Sequence, residues 1–309
     1  MANAVLLCSS DYNDSIFAAS VANDLGLPLT HHADRSRIDQ AIGGPTPPIA
    51  IFLSIKDLAE MESSSEAIHI LAGRSRSKIP PIFYITAMPI EALALALNNP
   101  WTSFYLRATY ADAADDGKQF AGVLKMVLRK EQILKDLYRP ILHLDKFNLD
   151  SIDYKKHLLS QIRKATIDAG FAARLSAKMG IAADELLLNA LKDAPENHAL
   201  RSLEKIPNKG VDVICGRSAS RFFISVTDQF GSFEKNKALN CLANSREKIS
   251  LSNGNKSAGL GLAMVLKSGA SLVISDQHGR STSALASWPI GVDARGLQKA
   301  HQFFGILND

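Results

Sequence analysis

The chain has 309 residues, 46% hydrophobic and 21% charged, with a formal net charge of +4; that is long enough for two domains with separate cores and ordinary for a globular protein. No apolar run reaches the roughly 18 residues of a membrane span, and Met1 to Ser10 shows neither a basic n-region nor a cleavage pattern, so no membrane and no secretion are expected. Cys8, Cys215 and Cys241 are scattered and odd in number, which argues against a disulfide framework or a zinc site and, with the missing leader, for the cytoplasm.

The basic clusters at Arg74-Ser75-Arg76-Ser77-Lys78 and Lys125 to Lys135 lack the concentrated stripe or aromatic interleaving of a nucleic-acid surface, so no nucleic-acid partner is expected. In residues 1–138, Ala4 to Cys8, Pro48 to Leu53, Pro81 to Ile85 and Phe104 to Arg107 are apolar runs, and Leu29 to His31 offers a shorter one. Helical stretches separate them, including Asp14 to Leu25 and a long one from Ala111 to Leu137. Strand–helix alternation at this spacing implies an α/β fold with a doubly wound parallel sheet. No glycine-rich fingerprint follows the first strand, which argues against a dinucleotide site there.

This order resembles a response-regulator receiver domain or another flavodoxin-like fold. In a receiver, strand ends carry an acidic pair, a phosphoacceptor aspartate, a Thr/Ser and a lysine. The corresponding positions here are Ser9-Ser10, Ser54, Thr86-Ala87 and Arg107-Ala108. Only Thr86 and Ala87 match, and a serine hydroxyl cannot form an acyl phosphate. The resemblance implies an interaction domain without phosphorylation, with Asp11 and Asp57 as nearby substitutes for the missing acids.

Residues 139–152 read as a linker or an edge strand, following a helix that Pro140 breaks. His143, followed by Leu144 and Asp145, occupies the place of a kinase phosphoacceptor, but no hairpin heptads follow it.

In residues 153–292, Asp153 to Ala169 is an amphipathic helix that Gly170 ends, and a second helix runs from Ala172 to Ala194, stopping at Pro195. On this second helix Glu185, Asn189 and Lys192 or Asp193 share one face, opposite Leu187, Leu191 and Ala194. A carboxylate, an amide oxygen and an ammonium in register suit water, Mg²⁺ and phosphate. Strands follow at Gly210 to Cys215 and Arg221 to Thr227, the latter running into Asp228-Gln229-Phe230-Gly231-Ser232. Residues 232–256 are polar and read as a flexible lid. Gly259 and Gly261 open an apolar helix whose amides can approach a phosphate. Ser271 to Ser275 and Ser281 to Trp288 form a closing hairpin, and residues 293–309 read as a C-terminal helix and tail.

Glu-x-x-x-Asn on a helix, Asp-x-x-Gly after a strand, a lid, Gly-Leu-Gly-Leu and a hairpin recur here in one order. The set resembles the GHKL ATP-binding superfamily (gyrase, Hsp90, histidine kinases, MutL), an α/β sandwich of Bergerat type, and within it most closely the anti-sigma-factor serine kinases. The resemblance implies ATP and Mg²⁺ as cofactors, Asn189 as the Mg²⁺ ligand, Glu185 as the catalytic acid or base, and Lys192 facing phosphate. It implies Asp228 reading adenine and Gly231, Gly259 and Gly261 in the nucleotide loops. The chain departs from the pattern at Phe230, Ser232 and Ser257, where glycines are usual, and at Asp193, where a His is common.

The resulting expectation is a cytoplasmic signalling regulator that binds Mg-ATP and phosphorylates a protein partner. A nucleotide-gated interaction module without turnover and an atypical histidine kinase are the alternatives. The partner is open, and so is the choice between a monomer and a homodimer.

Overall fold

Short apolar runs bounded by polar turns become strands, and the amphipathic stretches between them become helices. The structure, a computed structural model, describes residues 4–34, 37–42, 44, 46–74, 79–99, 101–129, 141–149, 154–194, 210–246 and 258–308. It is mixed α/β and divides into two compact units, Met1–Ile133 with His301–Gly305 and Leu134–Ala300 with Ile306–Asp309.

In the first unit β1 (Val5–Cys8), β2 (Leu29–His32), β3 (Ala50–Ser54), β4 (Ile82–Thr86) and β5 (Ser103–Arg107) form a sheet in the order β2-β1-β3-β4-β5. All its pairs are parallel, a doubly wound order. Helices α1 (Tyr12–Asp24), α2 (Ile38–Ile42), α3 (Leu58–Arg74), α4 (Ile90–Leu93) and α5 (Ala113–Arg129) make the connections. Strands β1, β3 and β4 are buried on both faces, so they read as continuous apolar runs rather than alternations. Phe52, Phe83 and Phe104 occupy one row across β3, β4 and β5, with ring centroids 4.9 and 5.1 Å apart. Phe17 of α1 and Phe120 of α5 close on this ladder edge-on. The two helices meet at Gly117, where any Cβ would collide with the Phe17 carbonyl. The long helix expected as far as Leu137 is α5, ending at Arg129; residues 130–140 lie outside the described ones.

The second unit contains β6 (Ile141–Leu149), α6 (Lys155–Asp168), α7 (Ala173–Leu188), β7 (Val211–Ser218), β8 (Arg221–Asp228), α8 (Lys235–Ala243), α9 (Ala258–Lys267), β9 (Ser271–Gln277) and β10 (Ser281–Pro289). Its strands pair antiparallel in the order β9-β10-β8-β7-β6. Helices α6 and α9 both pack on α7. Gly180 of α7 lies where a Cβ would stand 3.3 Å from Cγ of Arg163, which explains a glycine inside this helix by close packing against α6. Gly170 ends α6 with a φ of +93°.

Of the two readings of residues 139–152, a linker or an edge strand, residues 141–149 take the strand, β6, because their polar–apolar mixture suits a half-buried strand bonded along β7. The 232–256 segment differs from expectation. Inside the 232–256 lid, α8 docks on the core through Leu239 and Leu242, both fully buried; residues 247–256 lie outside the described ones.

The C-terminal segment also differs. Helix α10 (Ala294–Lys299) is only six residues long, and Phe303–Asn308 is a strand, β11. Phe303, Phe304 and Gly305 pair antiparallel with Leu106, Tyr105 and Phe104 of β5. An apolar run that hydrogen-bonds along β5 and is buried on both sides lacks the alternation that identifies a strand from sequence.

Candidate functional site

The sheet register of the second unit sets the floor of its cavity. Val226 of β8, Ala284 of β10 and Ile274 of β9 stand side by side in one row, and Asp228 faces Thr282 one step further along. Leu186 and Ala190 come down from α7 and the turn after it, Leu262 comes from α9, and Ala238 from α8. Together they wall a cavity of about 110 Å³. Its polar groups are few: Asn189, Asp228, Ser232, Thr282, and the pair Glu234 and Lys237, which stand 3.9 Å apart.

Asn189 opens a π-helical turn, Asn189–Asp193, that continues α7; the Ala194 amide donates to the Asn189 carbonyl, five residues back. Single π turns inside helices widen the turn and recur at functional sites. The loop after β8 is tied to the end of this turn, because the Ser232 hydroxyl donates to the Ala194 carbonyl at 3.0 Å.

Asp228 is buried. Its Oδ1 accepts the amides of Phe230 at 2.9 Å and Gly231 at 3.3 Å, closing a tight turn. Burial pushes this carboxyl up to about 6; the backbone bonds from Phe230, Gly231 and Thr282 hold it down in part, and the charge of Asp276 adds to the rise. Asp276 itself accepts the Thr282 hydroxyl at 2.8 Å. An apolar slot with one carboxylate and one hydroxyl at its floor suits a flat heteroaromatic ring carrying an amine.

The residues singled out from the sequence do not all meet in one place. Asn189 and Asp228, on different elements, line the one cavity. Glu185 and Gly261 meet beside it: a Cβ on Gly261 would collide with the Glu185 carboxylate, so the glycine is what lets α9 approach α7, and Glu185 does not line the cavity. Gly231 (φ +56°) is pressed against the β9–β10 turn, receives the Gly279 amide at 2.9 Å, and has no room for a Cβ. Lys192 is exposed and lies outside the cavity lining. Gly259 lies in the first turn of α9. Phe230, in a glycine position of the resembled motif, is buried and does not line the cavity either. Among the described residues no group of three or more His, Cys, Asp or Glu gathers as a metal site.

Thr282 and Lys237 were not singled out from the sequence. Thr282 is opposite Asp228 only because of the β8–β10 register, and Lys237 belongs to the polar stretch read as a lid. His143 is on β6, its Nε2 2.8 Å from Oδ2 of Asp145, in a groove that shares no residue with this cavity.

In the first unit the strand ends carry a closed polar network. Asp14 is buried and accepts the Ser9 hydroxyl at 2.7 Å and the Tyr110 hydroxyl at 2.7 Å. Burial and then the Asp14 charge push the Tyr110 phenol far up. Asp11 accepts the Asn13 and Asp14 amides at the start of α1, and Asp57 accepts the Glu60 amide at the start of α3. Both act as helix N-caps. Thr86 accepts the Met88 amide at 3.1 Å.

The chain matches no family model and no curated protein. Among solved structures it is similar to the SiaB-SiaC complex from Pseudomonas aeruginosa, with 15% identity, a TM-score of 0.31, and coverage of 53% of this chain and 98% of that one. No helix among the described residues is long and apolar enough to cross a membrane.

Proposed function

We propose that the second unit is a GHKL-type domain that binds Mg-ATP, and that the protein is a cytoplasmic signalling regulator acting on a protein partner. The observation that carries this reading is the convergence of Asn189, from a helix, and Asp228, from a strand end, on one apolar cavity. Asp228 with Thr282 suits the adenine amine, the walls of Leu186, Val226 and Ile274 suit the ring, and the Asn189 amide oxygen is a hard ligand for Mg²⁺. Bound Mg-ATP supplies the phosphoryl group; Glu185 is the base that a transfer to a partner serine would use. In this reading Gly259 and Gly261 admit the phosphates and Lys192 faces them from outside the cavity lining. The first unit is a receiver-like docking domain that takes no phosphate, since its strand ends present Ser9 and Ser54 and its nearby acids serve as caps.

Calorimetric titration with ATP and Mg²⁺ tests the reading. Binding that drops at least about tenfold in Asp228→Asn, and loses its Mg²⁺ dependence in Asn189→Ala, supports it. No binding at millimolar nucleotide sinks it. A second reading, a nucleotide-gated module without turnover, is favoured by Glu185 lying against Gly261 and outside the cavity. Labelled ATP separates the two: label moving to a partner and lost in Glu185→Ala marks a kinase, and binding without transfer or hydrolysis marks a gate.

A further inference from the structure

We propose that the free edge of β6 is a self-association surface, on which a second copy of this chain adds its own β6 antiparallel with Leu144 opposite Leu144. Among the described residues of the second unit β6 pairs on one side only, with β7, and it is the last strand of that sheet. It is nine residues long, and no proline interrupts it. An edge of that length offers a row of amides and carbonyls to another strand unless it is blunted. Charged side chains commonly blunt such an edge, and here the central polar groups, the imidazole of His143 and the carboxylate of Asp145, are complementary to each other.

His143 and Asp145 lie on one face of β6, both lining the groove beneath α6, and their ring nitrogen and carboxylate meet at 2.8 Å. In an antiparallel pair, directly opposite residues share a face. Centring two copies on Leu144 therefore places His143 of each opposite Asp145 of the other. Centring on Asp145 or on Lys146 sets like charges face to face, and centring on His143 leaves Asp145 opposite the apolar Ile141. Only the Leu144 register pairs imidazole with carboxylate twice, as a two-fold interface requires. Leu142, 59% exposed, then lies opposite Lys146, whose stem can cover it. The added strand also borders the groove lined by Phe147 and Phe222, about 440 Å³ in volume, and shields it from water. The slip in pairing with β7 is confined to Ile141–His143, at the start of the strand.

Sedimentation of the full chain across the micromolar range tests this. The wild type is expected to dimerise. His143→Asp, at an exposed position, and Asp145→Lys, at a half-buried one, are each expected to weaken the dimer by roughly tenfold, since the first sets aspartate against aspartate twice and the second removes both imidazole–carboxylate pairs. An equimolar mixture of the two variants is expected to regain it, because aspartate from one then faces lysine from the other. Rescue by mixing separates pairing across the interface from the contact within one strand, which both variants lose. Leu144→Cys is expected to cross-link two copies on oxidation. A wild type that stays monomeric, its edge left to some other extended segment, overturns the proposal. A dimer indifferent to the swaps, or a mixture that stays monomeric, overturns it equally.

Discussion

Asp228 carries its charge where burial disfavours it, and that makes its protonation a stability term. The folded value of about 6 lies above the ordinary 3.8, so between those values the folded chain holds a proton that the unfolded chain has released. The stabilisation is full below the unfolded value and is lost as pH rises through the folded one. Asp228→Asn keeps an oxygen for the Phe230 and Gly231 amides and removes the charge. It is expected to stabilise the fold at neutral pH by an amount on the order of 3 kcal/mol, read as a higher melting temperature, and to change it little below the unfolded value, in thermal unfolding followed across pH. The same carboxylate is the acceptor proposed for the base, so nucleotide affinity is expected to fall as pH drops through about 6, a shift that Asp228→Asn abolishes. A strand-end aspartate was legible from the alternation of Arg221 to Thr227. Its environment was not, because burial there depends on Thr282 and Asp276 arriving from strands far along the chain. Glu185 shows the same limit: helical spacing puts it on a face with Asn189, but its neighbour is Gly261, which only the packing of α9 on α7 brings near.

Between elements, the turn after β8 holds the site together more than it lines it. Gly231 bears on the β9–β10 turn while Ser232 bonds the end of the π turn, so one short loop fixes the hairpin and the helix relative to Asp228. Gly231→Ala meets both a positive φ and the Gln277 carbonyl. It is expected to destabilise the second unit by about 3 kcal/mol, summing a left-handed penalty with an overpacking one. Ser232→Ala leaves the Ala194 carbonyl without that donor and is expected to cost about 1 kcal/mol, with nucleotide affinity reduced through Asn189. Denaturant unfolding measures both, and equal losses in the two variants would contradict the separate roles. The hairpin and α6 were readable because a turn glycine or a capping glycine marks each locally. The helix α8 was not, and β6 was legible only as one of two alternatives. His143 to Phe147 is a strand only because β7 offers it a partner, and Leu239 and Leu242 mark a buried face too short to stand out from the polar residues around it.

At the scale of the whole chain, a short segment far along the sequence, His301–Gly305, belongs to the first unit. His301 stacks on Tyr110 at 5.3 Å and meets the carbonyl of Arg107 through Nδ1 at 3.0 Å, while the Gln302 carbonyl accepts the Arg107 amide at 2.8 Å. Phe303 packs edge-on against Phe120, and Gly305 leaves the space that the Phe104 ring fills. The first unit is therefore complete only when residues 301–305, which follow the second unit's strands in the sequence, have been made. A chain ending at Ala300 loses two buried phenylalanines, about 5 kcal/mol of apolar burial, together with the hydrogen bonds along β5. Hydrogen exchange is expected to show β5 amides exposed in that chain, including Arg107. The substitution Gly305→Val keeps every residue and puts a side chain into the Phe104 ring, so it is expected to reproduce the loss of β5 protection without truncation. Protection of β5 unchanged in both would mean that the first unit holds its sheet without this strand. A result of that kind would also remove the reason for burying Phe303 and Phe304 on an element that the sequence pattern reads as a helix.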